Sequence, residues 1–332
     1  MKIAELRTIV KGHQKKDLEF LVAELYKLIP KNKKEDNQID ELITKPVKEK
    51  KVSKANKAIR TIEEISGEVK LFHNNAINQN YLYPNSHVPK KDRSKWRFLV
   101  KRLVKEINLA AQNGNSRRRC AEELQVLYET LCYACAYQTF TAYDPFESVG
   151  ISQIEFFDQM IKYHRDSMDY KEFIDKGIKL IFNNELSRYT LYSGLMETFI
   201  NYCQTPNMKE VAIERTKKLW DSTNKNKTKK TSWRNSDFEK IDTLNNYSVL
   251  IFRLSLQLSE YETAIEEFKA KYIEIDKEIV LNIYISILFT YQLKDIILKE
   301  LQTAKSDGIE IRPSLVQLLK HIQKHNQLPD YI

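Results

Sequence analysis

Glycine and proline are scarce, 7 and 8 among 332 residues, and glycine stands at about a third of its usual share. So little glycine excludes a fold built from many tight hairpins, whose turns need residues at positive φ. Four cysteines in a chain of this length exclude a disulfide framework and fit a reducing compartment. A long apolar run is also missing. The uncharged run 279–293 is shorter than the ~20 apolar residues of a membrane span, and Asn282, Ser286, Thr290 and Gln292 interrupt it. The opening MKIAELRTIVKGHQKKDLE scatters charges through any would-be signal segment. A cytoplasmic protein without membrane association is expected.

Local signatures of catalysis are absent too. There is no GxxxxGK followed by Ser or Thr, no GxGxxG and no GxSxG. His321 and His325 stand at i, i+4, but the intervening residues read HIQKH and lack the Glu of HExxH. Cys132 and Cys135 form a CxxC inside the apolar run LCYACAYQ. Zinc needs four ligands and a redox pair needs a strand–helix setting, so core cysteines are the expectation. Asp92, inside KKDR, has no acidic companions that would make it a metal ligand. The sequence thus predicts neither enzyme activity, metal nor cofactor. An active site assembled from distant helices is the remote alternative.

What is present is an apolar share of 42%, enough for a core, and a charged share of 30%. The charge is split. Residues 1–120 carry 28 Lys and Arg against 14 Asp and Glu, a net +14, and the remainder nets −5. Such asymmetry points to a polyanion partner or to a general solubility charge. It would equally let the two halves dock, within one chain or between two copies.

Apolar spacing at three and four predicts helices almost throughout. Residues 2–10 and 16–29 read as a helical hairpin, with Leu18, Leu21, Val22, Leu25 and Leu28 as a core stripe. A third helix spans about 36–43. The lysine-rich stretch KPVKEKKVSKANK, 45–57, reads as a linker into a helix over 54–78. Further helices are expected at 94–112, 117–139, 152–165, 170–183, 187–203, 208–221, 237–258, 261–273, 277–292, 294–305 and 313–325. Ser152 with Glu155, Asn207 with Glu210, Ser236 with Glu239, and Ser259 with Glu262 have the capping-box spacing that opens helices. Three regions follow: 1–44, a helical hairpin; 45–113, a basic linker and helices; and 114–332, an array of helix pairs. The fold class is all-α.

SEYETAIEEFKAKY, 259–272, resembles the second helix of a tetratricopeptide repeat. Ser259, Tyr261, Ala264 and Phe268 fall where that family has a small residue, an aromatic, an Ala and another aromatic. One family period, a step of about 34 residues, lands on Leu293, Lys294 and Asp295, the next predicted turn. Ser286 supplies the small residue of a first helix, while Phe252 is bulky at the corresponding earlier place. The resemblance covers about 240–325. It implies an irregular helical-repeat array with a concave surface that binds another protein or peptide, and no catalysis. Adaptor function is therefore the first reading and nucleic-acid binding the alternative.

The alternative rests on three basic clusters. Lys90, Lys91 and Arg93 lead into the helix at 94–112. There Trp96, Leu99, Val100, Leu103, Ile107 and Ala110 share one face at about 100° per residue. Arg97, Lys101 and Lys105 recur one turn apart on its flank, with Phe98 and Leu109 beyond them. Cations that follow phosphates beside a ring that stacks on bases suit a single strand. The competing reading is a solvated flank with Phe98 packed on a neighbour. In the second cluster Arg117, Arg118 and Arg119 fill the first turn of the next helix, against its macrodipole. A bound anion would relieve this, as would Glu122, Glu123 or acidic residues elsewhere in the fold. The third is TNKNKTKKTSWR, 223–234, with Lys225, Lys227, Lys229, Lys230 and Arg234 next to Trp233. It reads as a loop that is either solvated or part of a basic surface.

Overall fold

The computed structural model describes residues 3–36, 39–44, 60–82, 87–112, 114–225 and 236–331. Among them are 18 α-helices and no strand. The chain divides into two units, Met1–Ile59 and Arg60–Ile332.

The first unit contains α1 (Ile3–Lys11), α2 (Lys15–Leu28), α3 (Lys31–Asp36) and α4 (Ile39–Thr44). The stripe expected to form a core does not. Leu21, Val22, Leu25 and Leu28 are exposed, Leu28 to 78%, and no residue of α2 is buried. Among the described residues, length is against such a core. The other helices among the described residues of this unit have 9, 6 and 6 residues, too few turns to cover a 14-residue helix. The stretch 45–57 lies outside the described residues. Of the helix expected over 54–78, residues 54–59 also lie outside the described residues; the described helix begins at 62, where Thr61 caps it: its side chain accepts from the Glu64 amide while Glu64 reaches back to the Thr61 amide.

The second unit opens with α5 (Ile62–Ile77), α6 (Lys90–Arg93) and α7 (Trp96–Ala110). It continues with α8 (Arg117–Ala136), α9 (Pro145–Val149), α10 (Gln153–Ser167) and α11 (Tyr170–Phe182). Then follow α12 (Tyr192–Tyr202), α13 (Pro206–Lys225), α14 (Ser236–Gln257) and α15 (Tyr261–Lys271). The last three are α16 (Lys277–Thr290), α17 (Lys294–Ser306) and α18 (Pro313–His325). Helices on both sides of residue 113 share one core, from Ile62 through Trp96 and Tyr128 to Leu254. A second core, from Phe252 to Ile322, joins α14 to α18.

Packing is sequential. α8, α10, α12 and α14 touch in that order, α11 packs on α13, and α14 to α18 each pack on the next helix. The turns recur with the helices. Ser259, Gln292 and Asn326 all adopt positive φ (64°, 57° and 53°) and are almost evenly spaced along the chain. The residues that open the following helices match: Glu260 has φ −88°, ψ 51° and Leu293 φ −87°, ψ 61°. The Glu260 amide reaches back to the Ser255 carbonyl and the Leu293 amide to that of Leu288, closing both helices alike. Core positions keep step. Leu281, Tyr284, Ile285 and Leu288 are buried on α16, and their counterparts one such interval later, Leu315, Leu318, Leu319 and Ile322, are buried on α18.

Of the four capping boxes, Ser152 with Glu155 forms as expected. Asn207 lies inside α13 because Pro206 takes the first helical position, and Thr205 accepts the Met208 amide instead. Ser259 is in the left-handed turn, so Glu260 opens α15 without a side-chain cap. The side chain of Ser236 lies outside the description. Ser286, expected at a close helix contact, is exposed and donates to the Asn282 carbonyl.

Candidate functional site

Two surfaces concentrate the polar and aromatic side chains. The first is the outer edge of α7. Its inner face is buried through Trp96, Val100, Leu103, Val104 and Ile107, and Trp96 stacks on Phe140 with ring centroids 3.9 Å apart. The helix is thereby fixed with Phe98 outward, 62% exposed, and the Arg97 guanidinium 5.0 Å from its ring centre. Arg97, Lys101 and Lys105 are exposed, and none forms an ion pair with a carboxylate among the described residues. The Lys101 ammonium lies beside Gly150 at the end of α9. The fourth cation of α7 differs: Arg102 joins Arg60 in pairing with Glu68 and Glu106. That pairing holds Glu68 below the usual carboxylate range, hydrogen bonds from Arg102 and Arg60 outweighing the burial that opposes it.

The other predicted cations divide. Lys90 and Lys91 are exposed on α6, whereas Arg93 is half-buried and donates from Nε to the Val88 carbonyl at 2.8 Å. Arg117, Arg118 and Arg119 are paired with acidic residues. Arg117 faces Asp166 at 3.6 Å, Arg118 faces Glu172 at 3.0 Å and Glu122 at 3.6 Å, and Arg119 faces Glu63 at 3.6 Å. These arginines tie α8 to α5, α10 and α11, and an added anion would have to displace their carboxylates. Lys227, Lys229, Lys230 and Trp233 lie outside the described residues.

The second surface is a groove of about 850 Å³ between α8 and α11. Tyr133 and Tyr137 stack at its edge with centroids 4.4 Å apart. Across its floor Lys176 donates to Gln125, which donates to Glu129. Asn183, Asn184 and Lys179 complete the far wall. The groove mixes amide and aromatic groups with both charges, and its carboxylates, Glu129, Glu172, Asp175 and Glu185, outnumber its two lysines.

Behind both surfaces runs a buried polar network that local sequence patterns did not signal. Asp144 is buried and accepts from the Glu147 amide, the Ser187 hydroxyl (2.6 Å) and the Arg188 amide (3.1 Å). Gln153, fully buried, donates to the Tyr128 hydroxyl and the Glu185 carbonyl and accepts from the Ser187 amide. Together they clamp the α11–α12 connection to the starts of α9 and α10. The clamp presents Arg188 over the Tyr143 ring at 3.7 Å, with Tyr143 72% exposed. Tyr143 and Arg188 are far apart in sequence, with α9, α10 and α11 between them, so no spacing rule could have paired them.

The cysteines are core residues in this fold. Cys120, Cys132 and Cys203 are buried and Cys135 half-buried. Burial raises the Cys135 and Cys203 thiols to about 12, which removes the thiolate that nucleophilic chemistry needs. Among the described residues no group of three or more His, Cys, Asp or Glu could hold a metal ion. No described helix is long and apolar enough to cross a membrane. Comparison of the chain with protein-family models, with curated proteins and with solved structures gives no match.

Proposed function

We propose that the 60–332 unit is a helical-repeat scaffold, similar in design to tetratricopeptide arrays, that holds another protein without catalysing a reaction. The observation that supports this reading is the recurrence of left-handed turns at Ser259, Gln292 and Asn326, in register with buried positions on α16 and α18. Helices stacked by one repeated step leave an extended surface on which a chain can lie. The α8–α11 groove, which precedes the repeated turns, suits that use. Its Tyr pair offers rigid rings, and its Asn, Gln, Lys and Glu side chains offer both donors and acceptors to a peptide backbone.

A photoreactive amino acid at Asn183, on the groove wall, tests this in cells. The reading expects one protein cross-linked in high yield, with the yield falling at least tenfold when Tyr137→Ala and Glu129→Lys are added. No adduct, or adducts that ignore these substitutions, would contradict it.

A further inference from the structure

Two exposed arginines that have no carboxylate partner among the described residues each lie over an exposed aromatic ring: Arg97 on Phe98 and Arg188 on Tyr143. The other arginines for which ion pairs are seen (60, 102, 117, 118, 119, 215, 253 and 312) are spent on holding helices together. The two free pairs are joined through α9. That helix packs on α7 and α8, is capped at its start by Asp144 directly after Tyr143, and at its end by Gly150 beside the Lys101 ammonium. Five residues of helix rise only about 7.5 Å, so Lys101 and Tyr143 flank one short element.

We infer that the outer edge of α7, continued across α9 to Tyr143 and Arg188, is a binding surface for single-stranded nucleic acid. Arg97, Lys101 and Lys105 rise about 6 Å per step along the helix and follow the phosphates. Phe98 and Tyr143 stack on bases, each backed by a guanidinium plane. Stacking on aromatic faces beside a cationic track is how sequence-tolerant single-strand sites work. A duplex hides its base faces, and an acidic peptide has no rings to stack, so both would use the cations but not the rings. The one carboxylate on α9, Glu147, is exposed and opposes phosphate. Tyr143 and Arg188 cannot drift, because the buried Asp144 and Gln153 hold their loops. None of its residues lines the groove, and it does not depend on the scaffold reading.

Fluorescence anisotropy on the full chain provides the test. The probes are a labelled oligouridine of about 12 nucleotides, the matching duplex, inorganic polyphosphate and a polyglutamate peptide. The single strand should bind at micromolar concentration or tighter, with log K falling against log salt at a slope of about −2 for three neutralised phosphates. Arg97→Glu with Lys101→Glu and Lys105→Glu should weaken it at least tenfold. Phe98→Ala and Tyr143→Ala should each weaken the oligouridine about 5- to 100-fold and leave polyphosphate unchanged. Glu147→Gln should tighten binding. All these side chains are exposed, so unaltered melting curves will certify the fold of each variant. No binding at low salt overturns the inference. So does binding that the ring substitutions leave unchanged, or a preference for polyglutamate, either of which would assign the cations to an acidic partner protein.

Discussion

His164 shows how one side chain can set a pH response. It is fully buried on α10, and neither ring nitrogen has a hydrogen-bond partner. Burial, with the charges of Lys176 and Arg118 adding to it, pushes the imidazole down to about 3. Above pH 6.5 the ring is neutral whether the chain is folded or not, and it costs nothing in proton linkage. As pH falls from 6.5 towards 3 the unfolded chain takes up a proton that the folded one refuses. Stability is lost, about 2–3 kcal/mol by pH 4.5. His164→Leu should remove that slope and also the cost of an unsatisfied buried polar group. Urea titrations between pH 7 and 4.5 measure it; a wild-type slope retained in the variant would refute the assignment. This residue was illegible in the sequence, because nothing in YHRD distinguishes a buried ring from a surface one. Trp96, by contrast, was legible as core from its place among Leu99, Val100 and Leu103. The outward Phe98 followed from the same wheel, though whether a neighbour covers it was not readable from α7 alone.

At the scale of elements, helix existence was written in apolar spacing, and boundaries were less so. The start of α5 at 62 is set by a Thr61–Glu64 box that the lysine-rich approach obscured. α9 was missed because five residues show no period, although Asp144 before Pro145 is a helix-start signal. Close packing between elements is carried by Gly177 on α11. A Cβ there would come within 2.6 Å of Cδ2 of the buried Phe199 on α12, and nearer still to Cε2. Ala favours helix over Gly by about 1 kcal/mol, but overpacking a rigid ring costs about 1–3 kcal/mol or more. Gly177→Ala should therefore lower Tm by a few degrees. A rise in Tm would mean that α11 and α12 separate at no cost. The arginine run at the start of α8 also belongs to this scale. Sequence identified the conflict with the helix dipole, but Glu63, Asp166 and Glu172, which resolve it, come from three other helices.

For the whole molecule, the sequence carried the all-helical class and the even spacing of the later turns. It did not carry the weakness of the first unit, whose α2 stripe is exposed. An amphipathic pattern says which face seeks cover and not whether a neighbour long enough exists. The account turns on sequential packing. If α14 to α18 are held mainly by their neighbours, stability should be local and graded rather than global. The most direct measurement is native-state hydrogen exchange on the Leu301→Ala variant. Leu301 is fully buried in the second core, and its truncation costs about 2–5 kcal/mol. The account predicts faster exchange in α15 to α18 with protection of α5 to α10 unchanged. Exchange that rises equally in every helix of the 60–332 unit would contradict it.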